Sequence, residues 1–511
     1  MSPTTECDDS FPIPLGPAAP AIPVDLAGGA AQARSRSLAK PVAVPEAVAQ
    51  RLRSACAKVD VDTATCAEAS RDWWALGLRW AIEGQVGGLA GVVARASKAE
   101  EVTSVLRICN EARIPVTPIA GRSGVCGASV PVFGGVLLDL CDFSGIVEVD
   151  DQSLLLDVRP GTFGDHLEHE LRTRHGLTVG HWPQSISLST VGGWLACRGA
   201  GQLSNRYGKI EDMVVGLDVA LADGSIIRTG GAPRAAVGPD LNQLFVGSEG
   251  TLGIIVGSRL RLHPAPSHEK QGAWGFGSFA EALDACRRIL RRGLPPAVLR
   301  LYDAHEANHK YQTGDRHLLL ALDEGDRAVV EASFSILAEE CAGAEEADPG
   351  LVGKWMGHRN EVTSPAGLLK AGLAWDTMEI TGSWRALPVI YERAIAAVRA
   401  VEYTVACSAH QSHAYTGGAC LYFTFAGKPP ADGWEAYYRA AWDAGTRAVL
   451  AAGGSLSHHH GVGLNRARFM REAMGPAFDA LASVKTALDP NGILNPGKLG
   501  LPSPFGAVHW P

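Results

Sequence analysis

Directly after an apolar strand predicted over residues 116–119, the chain reads Pro118-Ile119-Ala120-Gly121-Arg122-Ser123-Gly124-Val125-Cys126-Gly127. The small residues of this loop leave consecutive backbone N–H groups exposed, and such a nest can bind the pyrophosphate of a dinucleotide. The loop matches neither a Walker sequence nor the G-x-G-x-x-G fingerprint, so it predicts neither a P-loop nucleotidase nor a Rossmann domain. Taken alone, a glycine-rich turn is more often only a turn.

Two further loops of this kind follow in the same α+β segment. Residues 183–194 read PQSISLSTVGGW and add hydroxyl groups and a glycine pair that allows close backbone approach. Residues 247–255 read GSEGTLGII and lead into another strand. Three such loops among alternating short strands and helices indicate a phosphate-bearing cofactor far more strongly than any one of them does.

With these loops, the segment resembles the flavin-binding domain of the vanillyl-alcohol oxidase and p-cresol methylhydroxylase superfamily. From about Trp73 to Leu499 the chain is most similar to the alkylglycerone-phosphate synthases, the ether-lipid enzymes of that superfamily. The matching pieces are Ser189–Trp194, Tyr207-Gly208 with Ile210-Glu211-Asp212, Gly247–Gly253, Gly418-Ala419-Cys420 with Tyr422-Phe423, and Gly453–Gly463.

The resemblance implies FAD as the cofactor, bound without a covalent link. The first loop carries no histidine or cysteine where covalently flavinylated relatives attach the flavin, and Cys126 is expected to be a buried structural thiol. The residues that the resemblance places around FAD are Pro118, Ala120, Gly121, Arg122, Ser123, Gly124, Gln184, Ser185, Ser189, Thr190, Cys197, Gly199, Ala200, Glu249, Gly250, Thr251, Ile254 and Ile255.

Three consecutive histidines between glycine pairs are the main catalytic signal. His458, His459 and His460 can give or take protons near neutral pH, although a histidine tract is also found as a solvated surface feature. The resemblance adds Tyr422, which matches the acid/base tyrosine of the synthases, and Arg300, which matches an arginine near their flavin. A tyrosine needs nearby positive charge or the flavin to act as a base, and the triplet could supply that charge.

Substrate contacts are predicted at Arg359, Glu379 and His413. The synthases carry a substrate-binding arginine shortly before the residue matching Glu379, whereas residues 363–367 read TSPAG and Arg359 is offset. A structural ion pair explains Glu379 equally well.

The metal-binding 2-hydroxy-acid dehydrogenases of the superfamily use two histidines and a Glu-His pair. Here Cys420 and His459 replace one histidine and the glutamate, so no metal is predicted. A zinc set of His413, Cys420, His459 and His460 stays open.

The favoured interpretation is an FAD-dependent oxidoreductase with a synthase-like site. It would act on a C–H bond next to a hydroxyl or amine of a small or lipid-like substrate. One alternative is a true alkylglycerone-phosphate synthase, which forms an ether through a flavin N5 adduct. A second is a D-2-hydroxy-acid dehydrogenase of the glycolate or D-lactate type. A flavoprotein without turnover is disfavoured by the histidine triplet and Tyr422, and the missing arginine disfavours a phosphate-bearing substrate.

Composition narrows the class of protein. The 511 residues carry a net charge of −8, which argues against a nucleic-acid partner. Eleven cysteines without a CxxC pair indicate a reduced, cytoplasmic chain. No apolar run is long enough for a transmembrane segment, and no signal peptide is recognisable. A homodimer is the oligomeric state considered.

The predicted fold class is α+β, divided by the Pro264-Ala265-Pro266 turn. We expect a two-subdomain FAD-binding domain of the vanillyl-alcohol oxidase type, an α+β cap that holds the substrate, and C-terminal helices that complete the active site. The predicted boundaries are 1–40 for a disordered leader, 41–85 for a helical segment, 86–266 for the FAD-binding domain, 267–430 for the cap and 431–511 for the helices.

Overall fold

The first glycine-rich loop starts at the edge of a four-stranded sheet. The computed structural model describes residues 11–362 and 365–508. In this sheet the strands follow the order Lys58–Asp60, Val92–Arg95, Val136–Asp139 and Val116–Ile119. The last three run parallel, and continuous apolar strands such as these suit a sheet covered on both faces. The helices of this part are Glu46–Ala55, Thr63–Ala69, Ala75–Ala81 and Ala99–Ala112.

The second and third loops flank a five-stranded antiparallel sheet. Its strand order is Ile226–Arg228, Val214–Ala220, Ile254–Arg261, Leu155–Val158 and Ile146–Asp150. A small pair, Leu177–Thr178 with His263–Pro264, lies beside it. The helices here are Gly164–Glu170, which continues as a π-turn over Leu171–His175, then Val191–Cys197, Ser204–Tyr207, Ile210–Met213 and Asn242–Phe245.

A seven-stranded antiparallel sheet follows the Pro264–Pro266 turn. Its strand order is Glu345–Ala347, His268–Phe276, His317–Gly325, Val298–Tyr302, Thr404–Tyr415, Gly418–Gly427 and Ala374–Ser383. The accompanying helices are Phe279–Arg291, Ala304–Tyr311, Arg327–Glu340, Gly350–His358, Ala366–Lys370 and Leu387–Arg399. This sheet brings together Arg300, His410, Glu379 and Tyr422, which lie far apart in sequence.

The C-terminal part returns to the first sheet. After the helices Trp434–Ala451, Met470–Met474 and Ala477–Leu488, the chain bonds to the edge strand, since Val116 N–H donates to the carbonyl of Ile493 at 2.8 Å. The segment therefore closes the side of the fold that carries the first loop. No helix in the described ranges has the length and apolar character needed to cross a bilayer.

The prediction of a disordered leader over residues 1–40 is wrong for residues 11–40. Val24 and Leu26 are 2% and 5% exposed, and Arg34–Ser35 pairs with Gln85–Val86. Apolar anchors and backbone hydrogen bonds hold this Pro- and Ala-rich segment against the body of the protein, which composition alone does not reveal. Residues 1–10 lie outside the described residues.

The hydrophobic pattern of the sequence predicts a helix over 279–291 and strands over 153–158 and 420–425. The structure forms the helix as Phe279–Arg291, extends one strand to Gly418–Gly427 and begins the other later, at Leu155. The sequence also predicts Trp73, Trp74 and Trp80 as buried anchors. Trp74 and Trp80 are buried, whereas Trp73 is half-buried.

Candidate active site

A cavity of about 860 Å³ runs past all three glycine-rich loops. This volume falls within the range of about 300–1,000 Å³ that is typical of ligand sites. Every predicted cofactor residue lines the cavity except Thr251. Thr251 is 1% exposed and donates its hydroxyl to the carbonyl of Ser248 at 2.7 Å, so it shapes the third loop from behind.

The first loop presents backbone donors that the protein leaves unused. In residues 11–362 and 365–508, no acceptor bonds to the backbone N–H groups of Gly121, Arg122, Ser123 or Gly124. Arg122 has a φ of +55° and donates its guanidinium to the carbonyl of Glu68. Four consecutive free N–H groups on a cavity wall fit an anionic ligand such as a pyrophosphate. The residues of this loop thus fit FAD.

The third loop connects the cofactor side to the histidine triplet. Glu249, in the third loop, accepts from the backbone N–H groups of Val462 and Gly463 at 2.6 and 2.9 Å. A Cβ on Gly461, whose φ is +78°, would stand 2.4 Å from Glu249 Oε1, so glycine is required there. In the second loop, Thr190 caps the helix Val191–Cys197 by accepting from Gly193 N–H.

Glu379 is the centre of the histidine loop. Its carboxylate accepts from the backbone N–H groups of His458, His459 and His460, the last at 2.5 Å, and from Arg466 Nη1 at 3.0 Å. Both Glu379 and Arg466 are fully buried. Burial alone would raise the pKa of Glu379, but Arg466 and the N–H donors lower that pKa to about 2. Glu379 does not line the cavity, so the structure supports the ion-pair explanation and corrects its prediction as a substrate contact.

The three histidines are neutral at pH 7. Burial lowers the pKa of His458 and of His459 well below the usual value, and it lowers the pKa of His460 to about 4. The expectation that the triplet supplies positive charge is therefore wrong. His459 and His460 line the cavity, whereas His458 lies behind it and bonds to the Tyr415 hydroxyl through Nε2 at 3.0 Å.

Tyr422 faces the cavity from the strand Gly418–Gly427. Its hydroxyl donates to Thr377 Oγ1 at 3.1 Å, and its ring centroid lies 5.5 Å from that of His460. The His410 ring stacks on it at 4.9 Å. Burial raises the pKa of Tyr422, so this side chain remains a protonated hydroxyl at neutral pH.

Arg300 belongs to a polar chain behind Tyr422. Arg300 Nη2 donates to His410 Nε2 at 2.7 Å, and His410 Nδ1 donates to Glu306 at 3.0 Å. These partners fix one neutral tautomer of His410, whose pKa burial lowers to about 4. Arg300 forms no ion pair with a described carboxylate, and its Nη1 makes no hydrogen bond to a described group. A cavity-lining guanidinium of this kind can bind an anionic group of a ligand.

Arg359 and His413 also line the cavity. The Arg359 guanidinium lies 5.0 Å from the Trp182 ring and is 8% exposed, and its Nη1 has no hydrogen-bond partner among the described residues. Burial lowers the pKa of Arg359 to about 10. The neighbouring region where the synthases carry their arginine includes residues 363 and 364, which lie outside the described residues.

The histidines group differently from the zinc set considered from sequence. His413, His458 and His459 have potential ligand atoms that all lie within 4.8 Å of one another. Cys420 instead accepts from the Ser412 hydroxyl at 3.5 Å, and the thiol of Cys126 is buried, as predicted.

Sequence reasoning missed several polar residues of the cavity wall. His410, Thr377 and Asp376 all line it, and burial raises the pKa of Asp376 to about 6. The alternation of residues 408–415 along a strand was the available signal for His410. Thr377 and Asp376 carry no motif of their own, because their position depends on pairing between Ala374–Ser383 and Gly418–Gly427.

Two family profiles match the chain. One, described as FAD binding domain, covers residues 90–230, and the other, described as FAD linked oxidases, C-terminal domain, covers residues 265–499. The first ends before the Pro264–Pro266 turn and the second begins within it.

Individual proteins match over most of the chain. An uncharacterized FAD-linked oxidoreductase, YgcU, of Escherichia coli (strain K12) is 29% identical over 431 residues, which cover 80% of this chain and 89% of that protein. The alkyldihydroxyacetonephosphate synthase of Dictyostelium discoideum is 29% identical over 456 residues, 81% of this chain and 74% of that protein. The glycolate oxidase subunit GlcD of Bacillus subtilis is 27% identical, and the match covers 78% of this chain and 87% of that protein.

Solved structures share the fold. An alkyldihydroxyacetonephosphate synthase superposes with a TM-score of 0.74 at 24% identity, over 89% of this chain and 86% of that one. A p-cresol methylhydroxylase with substrate bound superposes with a TM-score of 0.71 at 18% identity, over 91% of this chain and 99% of that one. Both likenesses concern the fold.

Proposed function

Because this chain belongs to the FAD-linked oxidases, we propose that it dehydrogenates a small or lipid-like substrate at a C–H bond next to a hydroxyl or amine. The observation that carries this proposal is the shared cavity. Tyr422, His459 and His460 face the same cavity as the three cofactor loops, so a substrate there meets proton-transfer groups beside the flavin site.

Bound FAD would supply the acceptor for the two electrons that leave the substrate. The protein must accept the proton that leaves with them, and His460 suits this role because it is neutral and lines the cavity. His460 Nδ1 lies 3.6 Å from Glu379, whose negative charge stabilises the imidazolium formed when the proton arrives. No carboxylate in residues 11–362 and 365–508 forms such a pair with the His459 ring, which makes His460 the better acceptor.

Tyr422 would orient the substrate rather than act as the base. Its hydroxyl stays protonated and donates its hydrogen to Thr377, so its oxygen can accept a hydrogen bond from a substrate hydroxyl or amine. Arg300 and Arg359 offer two cationic contacts on the wall, and both support a substrate that carries an anionic group.

The three large sheets indicate which segment of the chain has which role. We assign residues 86–266 to FAD binding and 267–430 to the cap, because the four- and five-stranded sheets precede the Pro264–Pro266 turn and the seven-stranded sheet follows it. Residues 431–511 complete the site, since they contain the histidine loop. The proposed setting is the cytoplasm, and homodimer formation is a further proposal.

Denaturation should release FAD from the protein as an unmodified molecule. The purified protein is expected to be yellow, and acid or heat should release free FAD, because the first loop carries no histidine or cysteine at the position where covalently flavinylated relatives attach the flavin. Separation of the supernatant from the precipitate, followed by its absorbance spectrum, measures this. Flavin that remains with the precipitated chain would overturn noncovalent binding alone, and a colourless protein that takes up no FAD would overturn the cofactor itself.

The proposed reaction is tested by anaerobic mixing with candidate substrates. Dehydrogenation must bleach the visible flavin band, whereas ether formation produces no net reduction of the flavin. This difference separates the oxidoreductase from an alkyldihydroxyacetonephosphate synthase.

A further inference from the structure

Residues 11–26, here called the N-terminal strap, lie against the outer wall of the cofactor cavity. Gly16 is held at both of its backbone groups. Its N–H donates to Asp165 Oδ2 at 2.7 Å, and its carbonyl accepts from His166 Nε2 at 2.9 Å. Asp165 is fully buried, so water does not compete for its bond to Gly16. The strap is thus fixed to the body of the protein near its middle.

The strap contacts the second cofactor loop. A Cβ built on Gly16 would stand 3.2 Å from the Cβ of Ser187, so the strap backbone lies directly on that loop. Upstream, the Phe11 ring lies 5.8 Å from the Trp182 ring, and Ile13 packs on the apolar cluster that includes Ile186. Outward movement of residues 184–190 would therefore have to displace the strap.

The strap also reaches the first cofactor loop through Trp73. Trp73 Nε1 donates to the carbonyl of Ala21 at 2.5 Å, and Trp73 N–H donates to the carbonyl of Gly124 at 2.9 Å. Trp73 itself lines the cavity. Beyond this point Arg71 Nη1 donates to the carbonyl of Val24 at 2.6 Å, which anchors the end of the strap.

We propose that the N-terminal strap is a clamp that retains FAD, holding the second loop and Trp73 in place around the bound cofactor. A loop that is fixed in its bound conformation holds a ligand more tightly, mainly through slower release, and tying two walls of the cavity to one segment fixes both walls. The strap lies outside the residues that either family profile matches. The proposal depends on FAD binding and not on the reaction proposed above.

The test compares FAD release from the wild-type protein, Asp165→Ala, and a chain that lacks residues 1–22. Each protein is loaded with FAD and diluted, and the rise of flavin fluorescence gives the release rate and the dissociation constant. We expect Asp165→Ala and the deletion each to speed release by about tenfold or more, the effect of losing one or two shielded hydrogen bonds. Leu15→Ser is the matched control, because Leu15 is 38% exposed within the same segment and should leave release unchanged.

A protein that carries both Asp165→Ala and the deletion shows whether Asp165 slows FAD release through the strap. If Asp165 acts through the strap, Asp165→Ala adds nothing to the deletion, whereas independent effects would multiply and contradict the proposal. Wild-type release from a folded deletion protein would also overturn it. Should the deletion protein fail to fold, unchanged release from full-length Asp165→Ala overturns it. Substrate oxidation is not measured, so failure of the proposed reaction leaves this result intact.

Discussion

Replacing Tyr422 by phenylalanine is expected to slow flavin reduction by substrate at least ~100-fold while FAD remains bound, the effect of losing substrate orientation. The change removes one hydroxyl and keeps the ring that stacks on His410. Because that hydroxyl is the neutral group held by Thr377 in the cavity, its loss removes the positioning of the reacting substrate. Anaerobic stopped-flow absorbance of the flavin measures the rate directly.

Two comparisons make this result specific. Tyr403→Phe, at a side chain 46% exposed, should reduce flavin at the wild-type rate. His460→Ala should slow reduction as strongly as Tyr422→Phe, because His460 is the proposed proton acceptor, and His459→Ala should also slow it. An unchanged rate in Tyr422→Phe would return this tyrosine to a packing role, and a larger loss in His459→Ala would move the acceptor to His459.

Replacing Glu379 by glutamine is expected to lower the free energy of unfolding by about 3–5 kcal/mol, as breaking a buried ion pair does. The change leaves Arg466 as a buried charge without its partner, and both side chains are fully buried. It also weakens the acceptor that holds the backbone of His458–His460, so flavin reduction should fall as well. The shift of the urea midpoint at pH 7 measures the loss of stability.

Glu331→Gln is the matched control, since the pair of Glu331 with Lys270 is exposed and screened by solvent, so its loss should leave the urea midpoint nearly unchanged. The pKa of Glu379 is lowered from 4.5 to about 2, so its stabilisation is complete above pH 4.5 and is lost as the pH falls toward 2. The difference between wild type and Glu379→Gln should therefore be constant near neutral pH and shrink only below about 4.5. Equal midpoints at pH 7 would show that the ion pair does not hold the loop.

The cofactor side of the protein could be predicted from sequence because its signals are local. A run of small residues directly after a strand exposes backbone donors whatever the rest of the chain does, and loop 118–124 lines the cavity as expected. The catalytic side was predicted less completely. The tautomer of His410 is fixed by its hydrogen bonds to Arg300 and Glu306. Both partners lie more than a hundred residues away, so no local sequence pattern predicts these contacts.

Charge states were the least predictable feature. A histidine triplet between glycines resembles a solvated tract, yet burial keeps His459 and His460 neutral and Glu379 fixes their backbone. The leader was misjudged for a related reason. Its composition is typical of disorder, and the groups that order it, Asp165 and Trp73, lie far away in sequence.

The most direct test of the central claim is anaerobic stopped-flow mixing of the purified protein with 2-hydroxy acids, alcohols, amines, and acylated dihydroxyacetone phosphate with a long-chain alcohol. The account predicts that a hydroxylated or amine substrate bleaches the visible flavin band, and that no alkylated product forms. Efficient ether formation at micromolar acylated phosphate, abolished by Arg359→Ala and unaccompanied by bleaching with any other substrate, would contradict the account and identify a transferase.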